Sequence, residues 1–99
     1  MEIKKATTAE GAELTLTGRL DTLTSTNLQT ALSEALQSSG TVVLDFAGVD
    51  YVSSAGLRVL LQGQKIAQGS DRSMKIKNVS SEVMEVFDMT GFSGILTIL

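Results

Sequence analysis

The segment Thr41-Val42-Val43-Leu44-Asp45-Phe46 restricts the architecture more than any other stretch of the chain. Its apolar residues stand at consecutive positions and so point to both sides of an extended backbone, which suits an interior strand covered from both faces better than a half-exposed one. Such a strand needs strands beside it and helices over it, and the flanking sequence supplies both. Glu2 to Thr7 reads as a weak first strand. Ala12-Glu13-Leu14-Thr15-Leu16-Thr17 alternates apolar and polar residues as a second, with Glu10-Gly11 as the turn between the two and Gly18 as the strand's end. Leu28, Leu32, Ala35 and Leu36 then recur at helical spacing behind Asp21, Thr22, Thr24 and Ser25, all competent caps. A first helix therefore runs to about Ser38, with Gly40 as its stop.

Beyond Phe46, Ala47-Gly48-Val49-Asp50 leads into the serine pair Ser53-Ser54, and the pattern from Ser54 to Gln68 is helical. Leu57, Leu60, Leu61 and Ile66 face one way, Arg58, Gln62, Lys65 and Gln68 the other, and Gly63 weakens the helix between them. Gly69-Ser70-Asp71-Arg72 turns into a short strand, Ser73 to Lys77. Ser80 caps a third helix, with Val79 and Met84 placed as a hydrophobic staple, Glu82 and Glu85 near the positive end of the dipole, and Val83, Val86 and Phe87 as the buried stripe. Gly91 ends it, and Ile95 to Leu99 is apolar enough for a closing strand; Met74, Met84 and Met89 are expected to fill gaps in the core. This order predicts an α/β fold, a mixed, largely parallel sheet of about five strands packed with helices and entered by an antiparallel hairpin. At 99 residues the chain is long enough for one core and too short for two, so residues 1–99 are expected to form a single domain.

Composition excludes several classes of function. With a net charge of −3 and no block of Lys and Arg, the chain is unsuited to a nucleic-acid partner. It has no Cys and no His, which removes thiolate chemistry, the commonest general base and the commonest transition-metal ligands. The N-terminus lacks a signal-peptide core and no run approaches the roughly twenty apolar residues of a membrane span, so a cytoplasmic protein without membrane insertion is expected. Catalysis is not expected either. Ser53 or Ser54 as a nucleophile would need a lysine in place of histidine as base, and neither serine lies in a Gly-x-Ser-x-Gly elbow. Gly48 and Gly56 are too sparse for a phosphate-cradling loop and no Gly-Lys-Ser or Gly-Lys-Thr occurs, so no cofactor is expected. Asp21, Asp45 and Asp50 supply the oxygen ligands of a hard cation on paper. Their places at turns, helix starts and strand ends fit hydrogen bonds to nearby backbone instead, and no metal site is assigned.

The serines leave two readings open. A serine ahead of a helix is a common cap, and the same unpaired N–H groups that it caps suit a phosphate. Arg58, four residues beyond Ser54, shares its helical face and suits either a phosphate, an acidic patch on a partner, or plain solvation.

The run Asp50-Tyr51-Val52-Ser53-Ser54-Ala55-Gly56-Leu57 resembles the signature of the STAS domain, the module shared by anti-sigma factor antagonists and the cytoplasmic tails of sulfate transporters. Gly18-Arg19-Leu20-Asp21 matches the Gly-x-Leu-Asp run after the second strand of such domains. Val42 to Phe46 resembles their central strand, and Val79 to Phe92 their last helix-to-strand region, so nearly the whole chain is covered. The resemblance implies an anti-sigma factor antagonist, not an enzyme, working by partner switching. Unphosphorylated, it would bind an anti-sigma factor that doubles as a serine kinase; phosphorylation of Ser54 would release it, and a serine phosphatase would reverse the step. The implied partner surface comprises Asp21, Ser53, Ser54, Ala55, Gly56 and Arg58. Ser53 stands where many such antagonists carry Asp, which replaces a charge with a second hydroxyl. The same fold would also serve an adaptor subunit of a membrane transport complex, and the residues alone leave a small serine hydrolase as the enzymatic alternative.

Overall fold

The computed structural model describes residues 1–38 and 40–99. The elements follow in the order β1 (Glu2–Thr7), β2 (Gly11–Leu20), α1 (Ser25–Ser38), β3 (Thr41–Val52), α2 (Ser54–Gly69), β4 (Ser73–Lys77), α3 (Ser81–Thr90), a single 3-10 turn (Phe92–Gly94) and β5 (Thr97–Ile98). They build one five-stranded sheet whose spatial order, β1-β2-β3-β4-β5, is the order of the sequence. β1 and β2 form the antiparallel hairpin, closed by reciprocal Thr8–Gly11 backbone bonds, and every later pairing is parallel. This is the mixed, largely parallel α/β sheet that the sequence predicts.

Parallel strands that always step in one direction, joined by right-handed crossovers, place their helices on one face of the sheet. Burial alternates accordingly. Ala12, Leu14 and Leu16 of β2, Val42, Leu44 and Phe46 of β3, and Met74 and Ile76 of β4 are all buried, and all but Ala12 share one core with Leu28, Leu32, Leu36, Leu60 and Val83 of the helices. α3 joins the same face, since the Phe87 ring lies 6.3 Å from that of Phe46. Thr41, Val43 and Asp45 point to the other side and keep partial access to solvent. The expectation that β3 is covered on both faces is thus corrected: Val43 belongs to an uncovered face, with Glu13 and Lys77, which pair at 3.1 Å.

Two strands run further than their patterns predict. Gly18 does not end β2: it takes a φ of +116° beside a shift of register with β3, and the strand continues to Leu20. β3 continues through Ala47-Gly48-Val49-Asp50 to Val52. Between Thr15 and Leu20 the register with β2 slips twice, each time with an extra residue on β3, so buried positions pass from steps of two to steps of three at Phe46, Val49 and Val52. Gly48 sits at the first slip, where a Cβ would lie 2.8 Å from the Leu16 carbonyl oxygen. At the other end, β5 is shorter than expected. The 3-10 turn occupies Phe92–Gly94, Ile95 is left exposed, and only Thr97 and Ile98 pair with β4.

The helices need smaller corrections. Ser80 caps α3 by accepting from the Val83 N–H at 3.2 Å, and Gly91 ends it at φ +81°, both as expected. Ile66 and Met89 are exposed, and Leu61 is only half-buried, so none of the three is a core residue. Gly63 has a packing reason for its place in α2. A Cβ there would stand 2.5 Å from Leu32 Cδ2 and 2.9 Å from Met74 Sδ, so its absence sets how closely α2 approaches α1 and β4. Among the described residues no helix is long and apolar enough to cross a membrane.

Candidate functional site

The long ends of β2 and β3 bring the two predicted site segments together. Leu20 and Val52 are paired, and one residue on the Ser53 N–H donates to the Leu20 carbonyl oxygen at 2.8 Å. That bond ties the start of α2 to the loop that carries Asp21. Gly56 completes the junction from within the helix, where a Cβ would lie 2.7 Å from Leu20 Cγ and 3.0 Å from its carbonyl oxygen. The glycine of the Ser-Ser-Ala-Gly run is therefore a steric requirement: it lets the first turn of α2 sit on the end of β2.

The two serines divide the roles that the sequence leaves open. Ser53 has extended backbone angles and its Oγ accepts from the Gly56 N–H at 3.2 Å, while its carbonyl oxygen accepts the first helical bond from the Leu57 N–H. It is the cap. Ser54 is the first helical residue and is exposed, and its hydroxyl makes no hydrogen bond to any described residue. The N–H groups of the first turn that Ser53 does not satisfy lie beside it, at the positive end of the α2 dipole. Ala55 is half-buried next to them, and Arg58 is exposed one turn on.

Asp21 is engaged locally. Its Oδ1 accepts from the Leu23 and Thr24 N–H groups at 3.1 and 3.0 Å and from the Thr24 hydroxyl at 3.0 Å, and the Asp21 N–H donates back to Thr24 Oγ1 at 2.9 Å. The Thr24 N–H, then the Thr24 hydroxyl, hold its carboxyl below the ordinary carboxylate range against an opposing desolvation, with lesser help from the Leu23 N–H and the Arg19 charge. Asp21 thus fixes the shape of the loop that borders Ser53. Asp45 does the same for the bulge of β3, accepting from the Ala47 N–H at 3.0 Å and the Asn78 amide at 3.1 Å, which with the charge of Lys77 lower its pKa against desolvation. Among the described residues no three His, Cys, Asp or Glu side chains converge on one point.

Three exposed side chains at this end of the sheet were not singled out by sequence reasoning. The Arg19 guanidinium lies 4.0 Å from the centroid of the Tyr51 ring, a cation–π contact between residues that precede the paired Leu20 and Val52. Leu23, in the Asp21 loop, is 85% exposed. A signal existed for Tyr51, the one tyrosine of the chain, but its outward direction depends on the bulges of β3.

The family model described as "Mlab, STAS domain" matches residues 3–98. The chain belongs to the STAS domain family. Among curated relatives, BtrV of Bordetella bronchiseptica, whose name assigns it provisionally to the anti-sigma factor antagonists, is 39% identical over 57 residues, 58% of this chain and 49% of BtrV. The chain thus spans about half the length of that relative. The anti-sigma-B factor antagonist of Bacillus subtilis is 24% identical over 86 residues, 87% of this chain and 79% of the relative. The anti-sigma factor antagonist SpoIIAA of Bacillus, in its unphosphorylated form, superimposes with a TM-score of 0.82 at 17% identity, covering 99% of this chain and 88% of its own. Its phosphorylated form gives a TM-score of 0.76 at 18% identity, covering 99% and 91%. At these identities the structural likeness establishes the fold.

Proposed function

We propose that this STAS domain, residues 1–99, is a cytoplasmic anti-sigma factor antagonist that acts by partner switching and is not itself a catalyst. In this reading the unphosphorylated domain binds an anti-sigma factor that is also a serine kinase, through a surface formed by Asp21, Ser53, Ser54, Ala55 and Arg58 with Gly56 beneath it. The kinase transfers the terminal phosphoryl group of ATP to Ser54 Oγ: the new P–O bond forms as the bond from the γ-phosphorus to the β–γ bridging oxygen breaks, ADP leaves, the hydroxyl proton passes to a base of the kinase or to solvent, and the modified domain dissociates. A serine phosphatase restores the hydroxyl. The observation that carries the reading is the contrast between neighbours: the Ser53 hydroxyl is held by the cap, whereas the Ser54 hydroxyl is exposed and unbonded among the described residues. The names of the curated relatives support it.

Phosphate on Ser54 adds about −1.5 to −2 charges at a helix N-terminus, where the dipole favours negative charge by roughly 0.3–1 kcal/mol, so the domain remains folded. Binding changes for a different reason. The same charge at the centre of a contact has to be desolvated, at a cost of several kcal/mol unless the partner supplies cations. Affinity purification from the native host with the wild-type chain, Ser54→Ala and Ser54→Asp is the test. Ser54→Ala retains a serine kinase, and Ser54→Asp loses it by about tenfold or more, or about 1.4 kcal/mol, while its circular dichroism melt stays within the wild-type range. Modification mapped only to Ser53, or recovery of an ATPase and a membrane protein in place of a kinase, refutes the proposal; the second result would favour the transport-adaptor role.

A further inference from the structure

β1 is an outer strand of the sheet, and the hairpin that it forms with β2 determines which of its backbone groups lack a strand partner. The reciprocal Thr8–Gly11 bonds make those two residues a hydrogen-bonded pair, and bonded and non-bonded pairs alternate from there along an antiparallel ladder. Ala6, Lys4 and Glu2 therefore bond to Glu13, Thr15 and Thr17, whereas the N–H and C=O groups of Thr7, Lys5 and Ile3 point away from β2. Met1 continues the line, since a Cβ on Gly18 would lie 3.4 Å from Met1 Cα. Natural sheets blunt such an edge with bulges, proline or lysine. Here the register of β1 with β2 is unbroken and the chain has no proline, so Lys4 and Lys5 are the only guard of these three kinds.

Charge decides what can add to this edge and in which register. Ile3 pairs with buried Leu16, so its side chain lies on the helix-covered face, at the margin of the core. Glu2 and Lys4, opposite Thr17 and Thr15, stand on the uncovered face, 3.8 Å apart. A second β1 added antiparallel about a two-fold axis normal to the sheet pairs one residue with its own copy and the flanking residues with each other in reverse order. An axis at Glu2, Lys4 or Lys5 sets like charges against each other, and an axis at Ala6 or Thr7 brings no opposite charges together. An axis at Ile3 sets Glu2 opposite Lys4 of the second copy, and Lys4 opposite its Glu2. Both are non-hydrogen-bonded pairs, the kind whose Cα atoms approach to about 4.5 Å and whose side chains lie closer. The outward N–H and C=O groups of Ile3 then meet those of the second Ile3, and those of Lys5 meet Met1.

We propose that a second copy of this chain docks on the β1 edge, with Ile3 at the two-fold axis and Glu2 and Lys4 paired reciprocally across it, joining two sheets into one. The proposal rests on nothing assigned to Ser54. A pairing this short buries less than the roughly 1,200–2,000 Å² of a stable interface, so the association is weak and depends on concentration. Sedimentation equilibrium of the full chain from about 10 μM to about 1 mM reads the association, and amide hydrogen exchange by nuclear magnetic resonance at both ends of that range reads the register. The average mass rises toward that of two chains. Protection gained with concentration falls on the Ile3 and Lys5 amides, because those of Glu2 and Lys4 are already bonded to β2. Glu2→Lys and Lys4→Glu, both at exposed positions, each weaken self-association about tenfold or more without lowering the melting temperature. An equimolar mixture of the two variants associates as wild type does, because every lysine then faces a glutamate across the axis. A single-chain mass up to about 1 mM overturns the proposal and would leave the edge to an extended segment of another protein. Wild-type association in either single variant, a mixture that does not recover, or protection gained only away from β1 overturns it as well.

Discussion

Replacing Gly56 with alanine tests the claim that the serine motif needs a glycine for steric reasons. The new Cβ would lie 2.7 Å from Leu20 Cγ and 3.0 Å from the Leu20 carbonyl oxygen, whereas carbon atoms in good contact sit about 3.5–4.0 Å apart. Leu20 is fully buried and cannot swing away, so the start of α2 must retreat by about 1 Å. Overpacking of this size costs about 1–3 kcal/mol. The retreat also stretches the 2.8 Å bond from the Ser53 N–H to the Leu20 carbonyl, a loss of up to about 1 kcal/mol. Against this stands the helix preference of alanine over glycine, worth at most about 1 kcal/mol. The net is a destabilisation of about 1–3 kcal/mol, a fall in Tm of roughly 5–20 °C for a domain of this size. Gly69→Ala is the control in the same helix. Its Cβ meets nothing within 4 Å and its φ is not left-handed, so alanine stabilises by up to about 1 kcal/mol. Thermal and urea unfolding of both variants decide the matter. Wild-type stability in Gly56→Ala, or shifts of the same sign in the two variants, would refute the close-approach argument.

The serines separate in the same assay: Ser53→Ala loses a cap and about 0.5–2 kcal/mol, whereas Ser54→Ala stays within about 0.5 kcal/mol of wild type. Asp21 and Asp45 have folded-state pKa values below the ordinary 3.8, so they stabilise the fold above that value and the contribution is lost as pH falls below it. Acid titration of Asp45→Asn against wild type, followed by circular dichroism, therefore shows a shallower loss of stability below pH 3.8 in the variant. Phe87→Ala removes the ring packed on Phe46 and lowers stability by about 3–5 kcal/mol, read from the urea midpoint.

How much of this could be read from the residues depends on whether a segment kept one period. β4 and the cap and end of α3 keep theirs, and the strand Ser73–Lys77, the Ser80 cap and the Gly91 terminus all fall where the sequence puts them. β3 does not. Its buried positions change from every second to every third residue after Phe46, so the later half looks like a loop to any test for alternation. The uncovered sheet face was hidden for a related reason: Val43 is apolar, and only the direction of successive crossovers determines which side the helices take. At the site, both serines and Asp21 were legible as residues that meet. Which serine caps was not, because a helix boundary uncertain by about two residues exchanges the two roles.

The spatial order of the strands is also the order in which a ribosome delivers them. The β1–β2 hairpin forms from neighbouring residues, and each later strand docks on the edge left by the one before, so none has to insert between two partners that have already met. At a synthesis rate of about 5–20 residues per second, the growing sheet has ample time to extend strand by strand as the chain emerges. Its final edge is then the two-residue β5, which offers an incoming nascent chain almost no backbone to pair with.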